Sequence, residues 1–301
     1  MTHQKKILVL LDGSARSELT LRFVAAMQPF KKERIVLYQV FSELPEFCLD
    51  MALDSDGLAA SKEIAAWRTE QKKKMQTFLE DGKNLLVKEG FHEAMVEIKL
   101  RDRQVGVARD ILAEAIRQYD LVVMRRRGSG NIAGVLLGGV TNKLLSKLPD
   151  IPVILAGRRP HNSNILISVD GSMVSHRAVA IIAEHLGGYG YHVLLLHVIR
   201  AHGLDIMPAE MLEGHRRRML QMFDEMKERL VAHGFADGAV TSKIITGAES
   251  RADAIVEEAQ AGDHNTIVVG RRGLSRVQEF LMGRVCSKVV HRGSDFTVWI
   301  V

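Results

Sequence analysis

The sequence predicts an α/β protein built as two doubly wound, five-stranded parallel sheets. Three observations predict it. The chain has 301 residues, too many for one ordinary compact core and suited to two domains of about 150 residues. It repeats itself: "VMRRRGSGNIAGVLLGGV" at 123–140 and "VVGRRGLSRVQEFLMGRV" at 268–285 agree without a gap at seven positions, Gly128 with Gly273 and Gly138 with Gly283 among them. Each copy alternates short Val/Ile/Leu runs with helical patterns, the signature of βαβ units whose strands are covered on both faces.

The elements follow in order. "ILVLLDGSARSELTLRFVA" from Ile7 is a strand, a turn at Asp12-Gly13-Ser14 and a helix; "ILISVDGSMVSHRAVAIIA" from Ile165 is its copy, with the turn at Asp170-Gly171-Ser172. Second strands are "RIVLYQV" at 34–40 and "HVLLLHV" at 192–198, third strands "VEIKL" at 96–100 and "VTSKII" at 240–245. Between the second and third strands of the first half runs a long helical pattern. Ile64, Trp67, Gln71, Met75, Phe78 and Leu85 fall near one face, so this is an amphipathic cover helix with "QKKK" at 71–74 on its solvated side. The second half has a similar helix carrying "HRRRML" at 215–220. Fourth strands precede the two glycine-bearing segments, and fifth strands are "PVILA" at 152–156 and "FTVWIV" at 296–301. Pro152 suits an edge strand, since proline cannot donate to a ladder. The polar stretch "GRRPHNS" at 157–163 separates the domains, expected at 1–157 and 163–301.

Composition narrows the class. Hydrophobic residues make up 47% and charged ones 26%, as in a soluble globular protein. A net charge of +5 permits anionic ligands, but aromatic content is only 5% and no aromatics interleave with the arginines to stack bases, so nucleic acid is not an expected partner. No apolar run approaches a membrane span or a signal segment. Cys48 and Cys286 form no CxxC pair, which fits a reducing cytoplasm. There is no GxxxxGK[ST] loop, no GxGxxG after a first strand, no HExxH, no GxSxG and no evident Cys/His pair. Catalysis therefore has no positive support, and no metal site is expected from the scattered histidines.

Chemistry concentrates at the strand ends. Asp12 and Asp170 close the first strands, where open α/β sheets bind ligands and a carboxylate can hold a ribose or a base. The same Asp-Gly-Ser triplet serves equally as a helix cap. Gly270, Gly273 and Gly283 are spaced G-x2-G-x9-G. Glycines let amides approach an anion, and a helix opening at Gly283 adds free N–H groups and its dipole. Turn shaping alone is the alternative. Arg125–Arg127 and Arg271-Arg272 read as a solvated loop edge or as cations drawing an anion into the crevice.

These motifs resemble the universal stress protein family over nearly the whole chain: "ILISVDGS", "LLLHV" and the glycine pattern ending "LMGRV" carry the resemblance. It implies an adenine-nucleotide α-hydrolase-like fold with strand order 3-2-1-4-5. It also implies that ATP, with Mg²⁺ when bound, lies between strands 1 and 4. Carried over, the binding positions are Asp170, Gly171, Val198, Val269, Gly270, Gly273, Gly283, Arg284 and Val285. The weaker first-half matches are Asp12, Val40, Gly128, Gly138 and Val140. The family motif closes on Ser or Thr, whereas Gly139 and Arg284 stand here, and Arg125 replaces the first glycine of the first half. The first half is thus expected to have lost ordinary ATP binding, while Arg284 either holds a phosphate or fills the site by pairing with Glu279. The resemblance further implies pairing of the two halves through their fifth strands, with a homodimer of whole chains left open. Three functions stay open: a regulatory adenine-nucleotide binder, an interaction protein with degenerate sites, and a slow ATP hydrolase.

Overall fold

The computed structural model describes residues 4–42, 57–116, 119–126, 137–148, 151–202, 208–272 and 282–301. In the first half β1 (Lys6–Leu10), α1 (Ala15–Ala26), β2 (Arg34–Phe41), α2 (Gly57–Lys88), β3 (Val96–Asp102), α3 (Val107–Ala115), β4 (Leu121–Arg125), α4 (Gly139–Lys147) and β5 (Val153–Ala156) follow one another. In the second come β6 (Asn164–Ser168), α5 (Met173–Leu186), β7 (His192–Arg200), α6 (Ala209–Ala232), β8 (Val240–Ala248), α7 (Arg251–Ala261), β9 (Thr266–Val269), α8 (Arg284–Arg292) and β10 (Thr297–Ile300).

The strands form one continuous sheet in the order β3-β2-β1-β4-β5-β10-β9-β6-β7-β8. Within each half all pairs are parallel. The halves meet at β5 and β10, which run antiparallel with Val153 opposite Ile300, Ile154 opposite Trp299 and Leu155 opposite Val298. Pro152 therefore precedes a strand that is paired on both sides, and its carbonyl accepts from Val122 N at 3.0 Å. The edge that each half alone would expose is used up by the other half. The free edges are β3, which carries Glu97, Lys99 and Arg101, and β8, which is bulged against Arg200; charges and bulges keep such edges from pairing further.

Alternation along each strand builds two cores. Ile7, Val9 and Leu37 face one layer with residues of α1, α2, α5 and α6; Leu8, Leu10 and Val36 face the other with residues of α3, α4, α7 and α8. Trp299, at 1% exposure, is the largest buried side chain and lies on the joining strand. Its ring meets His185 edge-on at 6.2 Å and Phe30 at 6.5 Å, tying helix α5 of one half to the first half's core. Gly157 lies against the backbone before β10, where a Cβ would come within 2.4 Å of the Asp295 carbonyl. The cover helix departs from its sequence reading at Trp67, which is 40% exposed; Leu79 and Leu86 lead the buried face instead.

Candidate functional site

At the carboxyl end of β6 the sheet reverses its winding, with β7 on one side and β9 on the other. Ligands of open α/β sheets gather at such a point. Past Ser168 the chain turns through Asp170 and Gly171 into α5. Gly171 has φ +81°, a left-handed conformation that favours glycine. Asp170 Oδ1 accepts from Ser172 N at 3.0 Å and from Ser175 Oγ at 2.6 Å, and Asp170 N donates to Ser175 Oγ at 3.0 Å. Ser172 Oγ caps the helix by accepting from Ser175 N at 3.3 Å. The carboxylate thus organises its own turn. Asp12 does the same in the first half, accepting from Ser14 N at 3.1 Å and from Ser14 Oγ and Ser17 Oγ at 2.6 Å, beside Gly13 at φ +72°.

Val198 lies two residues beyond the last β6–β7 pair and is buried. Its carbonyl accepts from Arg251 Nε at 3.2 Å. Val40 is its buried counterpart, and there Val107 stands in the place of Arg251. Next to Val198, His197 Nδ1 is 2.7 Å from the Val169 carbonyl, which can only accept, so Nδ1 carries the proton. His197 Nε2 is then a lone pair, and His215 Nε2 sits 3.0 Å from it as donor. Burial is the main cause that lowers the pKa of both rings below the ordinary value, keeping the pair neutral near pH 7. Reading the histidines singly hid this pair. Aligning the halves marks it, because His197 and His215 stand where the first half has Gln39 and Gln71. Among the described residues no three His, Cys, Asp or Glu side chains gather to hold a metal.

The fourth strand supplies the other wall. Val269 is buried at the end of β9, and Gly270 follows it. A Cβ on Gly270 would lie 2.8 Å from Val174 Cγ1 and 3.2 Å from the Arg272 carbonyl, so this turn packs directly on the helix that Asp170 opens. Arg271 O accepts from Gly283 N at 2.7 Å, closing the turn at its base. Gly273, Gly128 and Glu279 lie outside the described residues. Gly283 opens α8 with no side-chain cap, whereas Ser172 and Ser250 cap α5 and α7. Gly283 has no side chain to offer the first-turn amides of α8, those of Arg284, Val285 and Cys286, and such amides suit an anionic acceptor. Arg284 is exposed, Val285 packs at the core's edge, and burial pushes the Cys286 thiol up to about 12.

In the first half Gly138 opens α4 in the same uncapped way, and Val140 packs like Val285. Arg125 occupies the place of Gly270, and Arg16 that of Val174. Burial lowers the Arg125 pKa first, and repulsion by Arg158 and Arg16 adds to it. Between Gly138 N and Arg126 O, both described, no bond matches the one that closes the second half's turn.

The arginine clusters require a correction. Arg126 neither edges a loop nor faces a ligand: it is 6% exposed and donates to the Gly293 carbonyl at 2.7 Å and the Phe296 carbonyl at 3.4 Å, in the other half. Arg271 returns the contact, donating to the carbonyls of Leu148 and Ile151. Burial brings the Arg126 pKa down to about 10, still charged at neutral pH. Arg127 lies outside the described residues, and Arg272 is exposed.

The comparisons with known proteins follow the same division. The sequence model of the universal stress protein family matches residues 4–156 and again 161–301. A universal stress protein of Mycolicibacterium smegmatis is 27% identical over 294 residues, covering 94% of this chain and 92% of that protein. Universal stress protein Rv1996 of Mycobacterium tuberculosis is 27% identical over 190 residues, 60% of this chain; the match spans only 59% of that relative's length. Among solved structures, a universal stress protein from Archaeoglobus fulgidus superposes with a TM-score of 0.66 at 19% identity, covering 99% of this chain and 98% of that one. That likeness speaks to the fold.

Proposed function

The chain belongs to the universal stress protein family, and from that premise we propose that its second half binds an adenine nucleotide, ATP with Mg²⁺, while its first half does not. The protein then acts as a regulatory binding module of the cytoplasm rather than as a metabolic enzyme. One observation carries the reading: among the described residues, only the second half joins a closed glycine turn at Gly270 to an uncapped helix start at Gly283, beside the Asp170 turn. The residues fit the ligand's chemistry. Phosphate oxygens need amides and positive potential, which the first turn of α8 supplies and to which Arg284 adds a cation. Asp170 and the end of β7 at Val198 would hold the nucleoside. Arg125 fills the corresponding place in the first half.

Isothermal titration with MgATP tests this. Wild-type protein is expected to bind one equivalent. Gly270→Arg, which writes the first half's residue into the second, should weaken binding about 100-fold or more, equivalent to about 2.7 kcal/mol. An unchanged affinity would move the site elsewhere. A second reading, an interaction protein with occupied crevices, draws on Arg251 covering the Val198 carbonyl and on Arg284 replacing a phosphate-binding hydroxyl. Absence of binding heat, with no nucleotide released on denaturation, would favour it. Slow hydrolysis is a third outcome, read by phosphate release.

A further inference from the structure

Resting on the reading of the second half as the binding half, we propose that its cradle is a two-domain site, in which Arg271 is the positioning residue and the first half is the frame that holds it. Arg271 directly follows Gly270. Its main chain donates to the Val301 carbonyl and accepts from Gly283 N, so it joins the fourth strand's turn to the start of α8. Its side chain leaves the domain and donates to Leu148 O and, at 2.9 Å, to Ile151 O. Leu148 is the C-cap of α4. The last carbonyls of a helix lack intrahelical donors and carry the negative end of its dipole, so a guanidinium satisfies them doubly. Its planar fork, spread over two fixed carbonyls, also sets its direction, which a lysine ammonium does not. The carbonyl that receives Gly283 N is therefore positioned from the other half of the chain.

Arg126 makes the mirror-image contact, to Gly293 O at the C-cap of α8 and to Phe296 O. The two staples differ in what lies above them. Arg126 follows Arg125 and makes no bond to Gly138, whereas Arg271 follows a glycine and closes the turn. A half whose own glycine pattern is broken thus keeps a role: it fixes the other half's cradle.

The test uses the full chain with MgATP as the probe. Arg126→Met and Arg271→Met each remove one staple and should lower the thermal midpoint by similar amounts. Only Arg271→Met should weaken MgATP, by about tenfold, the low end for charge-assisted hydrogen bonds, with Arg271→Lys in between. Equal weakening by both methionine variants, or none by Arg271→Met, overturns the proposal. If Arg271→Met does not fold, Arg271→Lys against Arg126→Lys carries the same comparison. If wild-type protein binds no MgATP, the proposed function fails, and amide exchange at Gly283 then judges the staple. Faster exchange in the Arg271 variant than in the Arg126 variant upholds it; equal exchange overturns it.

Discussion

The two halves build the same turn at the end of their first strand and then surround it differently. Around Asp170 stand His197, His215, Arg251 and Gly270; at the matching places around Asp12 stand Gln39, Gln71, Val107 and Arg125. Gln39 Oε1 is buried with no hydrogen-bond partner among the described residues, while His197 satisfies both ring nitrogens. The strands beneath have changed far less: Ile7 matches Ile165, Val9 matches Ile167 and Leu37 matches Leu195, all at 0% exposure. Side chains that face the helix layers answer to packing, which is the same in both copies. Those that face the crevice answer to whatever occupies it, and there the copies have parted.

The joining strands give the largest expected difference between the halves. Trp299 and Ile154 are cross-strand partners and occupy equivalent places in the repeat, both fully buried. Trp299→Ala should cost about 3–5 kcal/mol, through a cavity beneath His185 and Phe30. Ile154→Ala removes a smaller side chain and should fall at about 2–4 kcal/mol. Urea unfolding of both variants measures this. Equal losses would mean that the seam is symmetric in energy despite its unequal residues.

Acid should expose the next difference. His185 of the second half stands where the first half has Met27, and both are buried. Burial, aided by the Lys5 charge, pushes the His185 pKa down to about 3, and its Nδ1 has no hydrogen-bond partner among the described residues. A folded-state pKa below the unfolded value means that the unfolded chain takes up the proton first. The contribution is therefore complete above about pH 6.5 and is lost as pH falls from there toward the folded value. The slope is at most about 1.4 kcal/mol per pH unit, so roughly 2 kcal/mol goes by pH 5. Burial also lowers His161 and His264, which add loss of the same sign. His185→Met, the first half's solution, should flatten the stability profile between pH 7.5 and 5. A variant with the wild-type slope would assign the acid sensitivity to the other histidines.

The sequence carried the fold because its strands are unbroken apolar runs and its repeat supplies each element twice. It also carried the turn residues, since Asp-Gly-Ser and the glycines act locally, through φ and through caps. The staples were not legible in it. Arg126 and Arg271 bond to carbonyls about 120 or more residues away, and a carbonyl has no residue identity to read. A run of arginines looks the same whether it faces water, a phosphate or another domain. Pro152 marks the edge of its own half's sheet, and β10 pairs along that edge, as expected of fifth strands that join the halves. Helical phase puts Trp67 near the apolar face, yet it is 40% exposed, while Leu79 and Leu86 farther along α2 are fully buried; phase gives a side, not a depth.

The smallest expected effect concerns the histidine pair, and it decides whether the crevice residues of the second half act together. His197 donates to Val169 O, just before the Asp170 turn, and accepts from His215 on α6. Replacing each by the first half's residue, His197→Gln and His215→Gln, separates the pair from the fold. A neutral hydrogen bond contributes about 0.5–1.5 kcal/mol, so a double-mutant cycle at pH 7.5 should give a coupling energy in that range. The coupling should survive the first proton, because His215 charged on both nitrogens still donates to a neutral His197. It should vanish with the second, when both Nε2 atoms carry hydrogen and face each other at 3.0 Å. Burial is the main cause that lowers both pKa values, with Arg251 adding repulsion at His197 and Arg218 at His215, which places the loss below the ordinary histidine range. A coupling near zero at pH 7.5 would make the contact incidental. The two strand ends would then differ in residue type without differing in how their residues are joined.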